Sequence, residues 1–208
     1  MSEIANRPLR IVHAVRAPVG GIIRHILDLA NGQIDAGHHV GIIADSLTGG
    51  ERANAAFAEI APRLKLGVRR LPIHREPHLT DVLVWARFMY LIAQLKPDVV
   101  HGHGAKAGAF VRMRGRSKRF IRVYTPHGGS LHYPLNTWRG TFYSRLERAL
   151  MDNTELFLFE SAVAIAGGFS PRAKRDSVTL THNAGRGIVP LGTAISPGDT
   201  ILVGERWF

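Results

Sequence analysis

Arg10–Ala44 reads RIVHAVRAPVGGIIRHILDLANGQIDAGHHVGIIA, and two changes of period within it set the fold class. Arg10–Ala14 is a short β-branched run suited to a strand, followed by a turn that ends in Gly20 and Gly21. From Gly21 to Ala36 the residues Ile22, Ile23, Ile26, Leu27, Leu29, Ala30 and Ile34 fall at near-helical spacing. Gly37 stands just past them, where a glycine commonly stops a helix. His39–Ala44 returns to strand pattern. Strand, helix and strand in so short a stretch form the βαβ unit of a parallel sheet.

The alternation continues beyond this unit. Glu51–Ile60 is helical and Val68–Leu71 is a third strand. Thr80 suits the N-cap of a helix over Asp81–Leu95, which is apolar nearly all round. That helix is shorter than the ~20 residues a membrane span needs, and it contains Arg87, so it reads as buried between sheet and neighbours. Val99–His101, Arg119–Tyr124 and Glu155–Phe159 read as further strands, with helices over Ala105–Val111 and Trp138–Met151 between them. Near-continuous apolar strands separated by helices predict an α/β class: a doubly wound, Rossmann-like parallel sheet covered on both faces. Beyond Val163 the character changes. Ala164–Ser196 shows no sustained period, and Thr200–Gly204 looks like one more strand. The expected organisation is one domain over residues 1–165 and an unassigned tail over 166–208: a linker, a poorly ordered end, or sequence read in a shifted frame.

Composition narrows the function classes. The chain has 208 residues, 45% of them hydrophobic and 21% charged, as befits one globular domain with a core. It has no cysteine, which excludes a disulfide framework and Cys-ligated zinc and fits a reducing cytoplasm. The opening MSEIANRPLR has no apolar run of the secretory kind. A net charge of +11 favours anionic partners. Arg112, Arg114, Arg116, Lys118, Arg119 and Arg122 cluster in one stretch, either a solvated loop or a patch facing an anionic membrane surface. No helix-turn-helix, zinc-finger or RNP-type pattern accompanies the charge, so nucleic acid is not an expected partner.

In sheets of this kind ligands bind beyond the carboxyl ends of the strands. Those ends lead into Pro18-Val19-Gly20-Gly21, Asp45-Ser46, His101-Gly102-His103-Gly104, Thr125-Pro126-His127-Gly128-Gly129 and Glu160-Ser161. Gly20 and Gly21 open a helix and permit close approach to a phosphate or sugar hydroxyl, although any β-α turn can carry such a pair. They are not a GxGxxG fingerprint, and no GKT or GKS occurs. His127 sits between a strand end and two glycines, placed to donate a hydrogen bond or to act as acid or base. His101 and His103 alternate, but no third ligand is visible beside them, so a metal is not expected. His13 lies within the first strand as a satisfied core residue. Glu160 is either a site carboxylate or a cap for a helix beginning at Ser161.

The blocks RIVHAVRAPVGGIIRHILDLANGQIDAGHHVGIIA, LKPDVVHGHGAKAG, VYTPHGG, RLERAL and LFLFESA, in this order, resemble family 4-like glycosyltransferases across about Arg10–Ala162. The resemblance implies the N-terminal half of a GT-B fold, two Rossmann-like domains facing across a cleft. It implies transfer of a sugar from a nucleotide-sugar donor, a substrate rather than a cofactor, to a glycan or lipid-linked acceptor without an essential metal. Gly20 and Gly21 match the family's glycine loop, His127 the histidine that approaches the donor sugar, and Glu160 and Ser161 the strand end bordering the cleft; His103 and Gly128 are expected to join them. Cytoplasmic placement, peripheral at the inner face of the membrane, is a further expectation. The family's second domain, with its paired glutamates and diphosphate-binding cations, has no match here, and a truncated or frame-shifted reading frame is the expected reason. The rival expectation is a non-catalytic Rossmann-like module holding an acidic partner or membrane through Arg112–Arg122.

Overall fold

The structure, a computed structural model, describes residues 7–113, 119–127, 136–158, 177–182, 185–190 and 200–202. The chain divides into two compact units, Met1–Phe159 and Glu160–Phe208. In the first, the order is β1 Arg10–Val15, α1 Gly20–Asp35, β2 His39–Asp45, α2 Gly50–Ile60, β3 Gly67–Leu71, α3 Asp81–Leu95, β4 Val99–His103, α4 Ala105–Arg112, β5 Ile121–Thr125, α5 Trp138–Met151 and β6 Leu156–Phe157. These strands form one sheet in the order β3-β2-β1-β4-β5-β6, parallel throughout. The predicted doubly wound α/β sheet is therefore what forms. Its strand order reverses between β1 and β4, and a crevice opens at their carboxyl ends.

Two apolar layers cover the sheet. Ile26 and Ala30 of α1 and Ala53, Phe57 and Ile60 of α2 pack with Val15, Val40, Ile42 and Ala44. On the other face Val84, Phe88, Met89 and Ile92 of α3 and Ala107, Phe110 and Val111 of α4 pack with Val12, Ala14, Ile43 and Val100. Element ends obey local chemistry. Gly37, at φ +88, takes the left-handed position that ends α1, and His38 N–H returns 2.9 Å to the Gln33 carbonyl. Thr137 Oγ1 accepts from Gly140 N–H at 3.0 Å and starts α5 at Trp138. Helix α4 lies unusually close to the sheet: a Cβ on Gly102 would come 2.8 Å from Gly108 Cα, and one on Gly108 would come 2.3 Å from the Tyr124 ring.

Several expectations need correction. Thr80 occupies the N-cap position of α3, but its hydroxyl bonds His78 Nδ1 at 2.7 Å rather than a helix N–H. Helix α3 is not buried all round: Val82, Leu83 and Tyr90 are 72%, 73% and 60% exposed, because only one face meets the sheet. Strand β4 runs two residues further than expected, to His103. No helix among the described residues is long and apolar enough to cross a membrane.

In the second unit, the stretch read as aperiodic contains β7 Ser177–His182 and β8 Gly185–Pro190, an antiparallel pair. Strand β9, Thr200–Leu202, pairs antiparallel with the other side of β7, giving the order β8-β7-β9.

Candidate functional site

The carboxyl edge at the β1–β4 crevice is built from imidazoles. His13 of β1 stands in register with His101 of β4, and Val15 with His103. Residues two apart on a strand share a face, so His101 and His103 both lie on the α1 side with His13. His13 Nε2 lies 2.8 Å from Gln33 Oε1 of α1, and its Nδ1 lies 3.0 Å from His103 Nε2. His103 Nδ1 is in turn 2.9 Å from His127 Nε2, just past β5. His101 Nε2 bonds Thr125 Oγ1 at 2.8 Å, and its ring centroid lies 3.9 Å from that of His103. His25 of α1 meets His103 and His127 edge-on, at centroid distances of 5.8 and 5.3 Å.

Burial keeps His13, His101 and His103 uncharged. It pushes His13 down to about 4, against the opposing hydrogen bond to Gln33. His101 is pushed down to about 2, by burial first and then by the neighbouring imidazoles. His103 is driven well below the ordinary histidine value for the same reasons.

His127 has φ +50, a left-handed conformation that costs a side-chain-bearing residue about 1–2 kcal/mol. The surrounding structure must hold it there. It borders a cavity of about 740 Å³ whose wall includes Arg16, Arg75, Trp85, Phe110, Phe142 and Tyr143. Lys106, also on the wall, ties α4 to α3 through Asp81 at 2.7 Å. The described lining is mostly apolar, and Trp138, Phe142 and Met113 nearby in sequence or on the wall are 75%, 47% and 45% exposed.

Among the sequence-derived candidates, His103 and His127 come together at the cavity. Gly20, at φ +55, and Gly21 open α1, and a Cβ on either would meet nothing within 4 Å, so the backbone is approachable there. His103 has both ring nitrogens engaged by other imidazoles, which fits it to support His127 more than to touch a ligand. Gly128, Glu160 and Ser161 lie outside the described residues, as do Arg114, Arg116 and Lys118. Asp45, at the end of β2, is buried and accepts from Leu47 N–H, Ile73 N–H and the Thr48 hydroxyl, so it closes its own loop.

The basic stretch is not one surface patch. Arg112 is fully buried, with its Nε donating to the Gly108 carbonyl at 2.9 Å, its Nη2 2.9 Å from Glu147 Oε2 and its guanidinium 3.8 Å over the Tyr124 ring. Arg122 is fully buried beside Glu155, at 3.1 Å. Arg119 is exposed. Arg112 and Arg122 are interior because they fall on α4 and β5 at positions facing the core, and helical or strand phase overrides the preference of arginine for water. The expectation that no third ligand lies beside His101 and His103 also needs revision. His13–His101–His103 and His25–His103–His127 each bring ring nitrogens within 4.8 Å of one another, near enough for a metal. A metal on His103 would have to displace its hydrogen bonds to His13 or His127, and among the described residues no carboxylate joins either trio.

Sequence reasoning missed the cavity wall. Arg16, Arg75 and Lys106 come after β1, β3 and β4, so inspecting every post-strand loop for cations would have found them.

The family described as glycosyl transferase 4-like domain matches residues 20–165. No curated protein matches the chain in sequence. Among solved structures, sucrose-phosphate synthase from Thermosynechococcus elongatus is similar at TM-score 0.51 and 15% identity, covering 76% of this chain and 44% of that one. A protein described as UDP-N-acetylglucosamine 2-epimerase from Listeria monocytogenes gives 0.49 and 15%, covering 79% and 44%. MurG from Acinetobacter baumannii gives 0.47 and 15%, covering 72% and 41%. At this identity the likeness to the synthase shows the fold alone, and the chain spans less than half the length of each of these structures. The fold is that of the N-terminal Rossmann-like half of a GT-B architecture, and the match over residues 20–165 places the chain in the glycosyl transferase 4-like domain family.

Proposed function

We propose that this chain supplies the acceptor-facing half of a glycosyltransferase that moves a sugar from a nucleotide-sugar to a glycan or lipid-linked acceptor. The observation that carries this reading is His127, held in a left-handed conformation beside the apolar cavity at the β1–β4 crevice. Its imidazole is suited to take a hydrogen bond or a proton from an acceptor hydroxyl. Trp85, Phe110 and Phe142 offer an apolar acceptor portion a place out of water, and Arg75 offers charge to an anionic group. Gly20 and Gly21, at the N-terminus of α1, would admit the donor phosphates to the helix N–H groups.

Transfer also needs a preorganised cradle for the departing nucleoside diphosphate. In the family that cradle belongs mainly to a second domain, so this chain by itself transfers no sugar. Reading the coding DNA in all frames tests whether residues 166–208 are the remnant of such a domain. In the whole enzyme the donor is a substrate, no further cofactor takes part, and the protein works in the cytoplasm at the inner membrane face. The direct test is to incubate purified chain with a panel of nucleotide-sugars and alkyl glycosides. No glycosylated product is expected, and turnover above the buffer control would refute the claim of inactivity. The acidic-partner reading through Arg112–Arg122 loses support because both end residues are interior.

A further inference from the structure

We infer that Gln33 and His13 are positioning residues that fix, through His103, which nitrogen of His127 carries its proton. The inference deepens the role given to His127 above, but its test reads the imidazole directly and does not need that role to be right.

The argument is one of donor and acceptor balance. A neutral imidazole has one N–H and one lone pair, so each hydrogen bond it makes dictates the sense of the other. Gln33 presents its amide oxygen, which only accepts, to His13 Nε2 at 2.8 Å. His13 therefore carries its proton on Nε2 and offers the lone pair of Nδ1. His103 Nε2, 3.0 Å away, must donate to it. That leaves the lone pair of His103 on Nδ1, to which His127 Nε2 donates at 2.9 Å. The acceptor nitrogen of His127 is then Nδ1. At Nδ1, His127 is then an acceptor and not a donor.

Each link is held by its own element: Gln33 by α1, His13 by β1, His103 by β4 and His127 by the turn after β5. Among the described residues, the other titratable groups whose rings meet the chain are His25, edge-on to His103 and His127, and His101, against His13 and His103. Neither interposes a hydrogen bond among those described between the four linked groups. Burial opposes a charge on His13 or His103, and an amide oxygen takes up no proton near neutral pH. A proton gained at Nδ1 of His127 therefore has nowhere favourable to pass inward. The chain sets polarity and does not conduct.

The experiment is ¹⁵N–¹H correlation of the histidine rings in the purified chain near pH 7.5, with His127 assigned by its loss in His127→Ala. In the wild-type chain, Nε2 of His127 is expected to be protonated and Nδ1 bare. Gln33→Glu keeps an acceptor at the head of the chain and should leave that pattern unchanged. Gln33→Lys substitutes a donor and should reverse every link, moving the His127 proton to Nδ1. Gln33→Leu removes both capacities and should give a mixture of tautomers. Backbone amide spectra establish that each variant is folded, and because Gln33 is only half-buried the substitutions have room to be accommodated. A wild-type His127 protonated on Nδ1, or a tautomer indifferent to residue 33 in folded variants, would overturn the inference.

Discussion

The two ends of the parallel sheet solve the same problem with opposite chemistry. At the amino end, Asp98 accepts from Arg7 at 2.6 Å and from the Arg10 backbone N–H at 2.8 Å, while the Arg10 guanidinium donates to the Leu95 carbonyl. Arg122, at the start of β5, is paired with Glu155. Strand ends there are tied by full charges whose partners sit on neighbouring segments. At the carboxyl end imidazoles stand in series at the β1–β4 crevice, the buried His13 and His103 held neutral, with a left-handed residue at the end of the series and an open cavity beside it. The first arrangement satisfies itself locally and serves stability. The second commits buried hydrogen bonds to orienting one side chain at a cavity.

That contrast can be broken from either side. The largest effect of a single substitution is expected at the amino end. Arg122→Ala removes one partner of a buried pair and should cost about 3 kcal/mol. This is the low end of the range for such losses, because Glu155 remains 35% exposed and can rehydrate. Denaturant unfolding measures the cost, and the His127 ring resonances should not change.

Acid should separate the two ends by pH window. The folded value of His13 lies near 4, below the ~6.5 of an unfolded histidine, so the unfolded chain binds the proton first. Stability is full above about pH 6.5 and falls as pH drops toward 4, by up to about 1.4 kcal/mol per pH unit for each such histidine. His103 and His101, also lowered, extend the loss further down. Asp98 is held below the ordinary carboxylate value by Arg7, so its contribution is present above about pH 4 and is lost only as pH falls below that. Stability measured from pH 7.5 to 3.5 should therefore decline in two stages. His13→Gln should lower the upper slope by about a third, because His101 and His103 lose stability over the same window, and should leave the lower stage. An unchanged upper slope would mean that His13 is not a buried neutral group.

The smallest stability effect is expected at His127, the residue to which the proposed function gives ligand contact. His127→Ala gives up a hydrogen bond to His103 but sheds an imidazole from the cavity edge, and about 1 kcal/mol or less should be lost. A thermal melt displaced by no more than a few degrees would show that its strained backbone serves the site and not the fold.

How much of this was legible in the sequence depended on the range of the signal. The βαβ alternation could be read because the periods of Arg10–Ala44 and Trp138–Met151 are local, and Trp138–Met151 was placed to the residue. His127 could be placed by its position after a strand. The hydrogen-bond chain could not, because Gln33, His13, His103 and His127 become neighbours only once β1 and β4 pair in register. Arg112 and Arg122 misled for a related reason: a run of cations says nothing of helical phase, and both point inward. Strand β7 was missed although Val178 and Leu180 alternate with Thr179 and Thr181. Averaging that short period with the Gly- and Pro-rich residues around it hid the signal.

Ligands, on this account, bind at the imidazole edge and leave the ion-paired edge alone. The sharpest check is amide shift mapping of the chain titrated with an alkyl glycoside below its micelle concentration, an amphipathic probe carrying both a sugar and an apolar tail. Saturable shifts at Arg16–Ile22, His103–Lys106, His127 and Phe142, abolished in His127→Ala, are the expected result. Shifts centred on Arg7, Asp98 and Arg122, or none at any concentration, would contradict it.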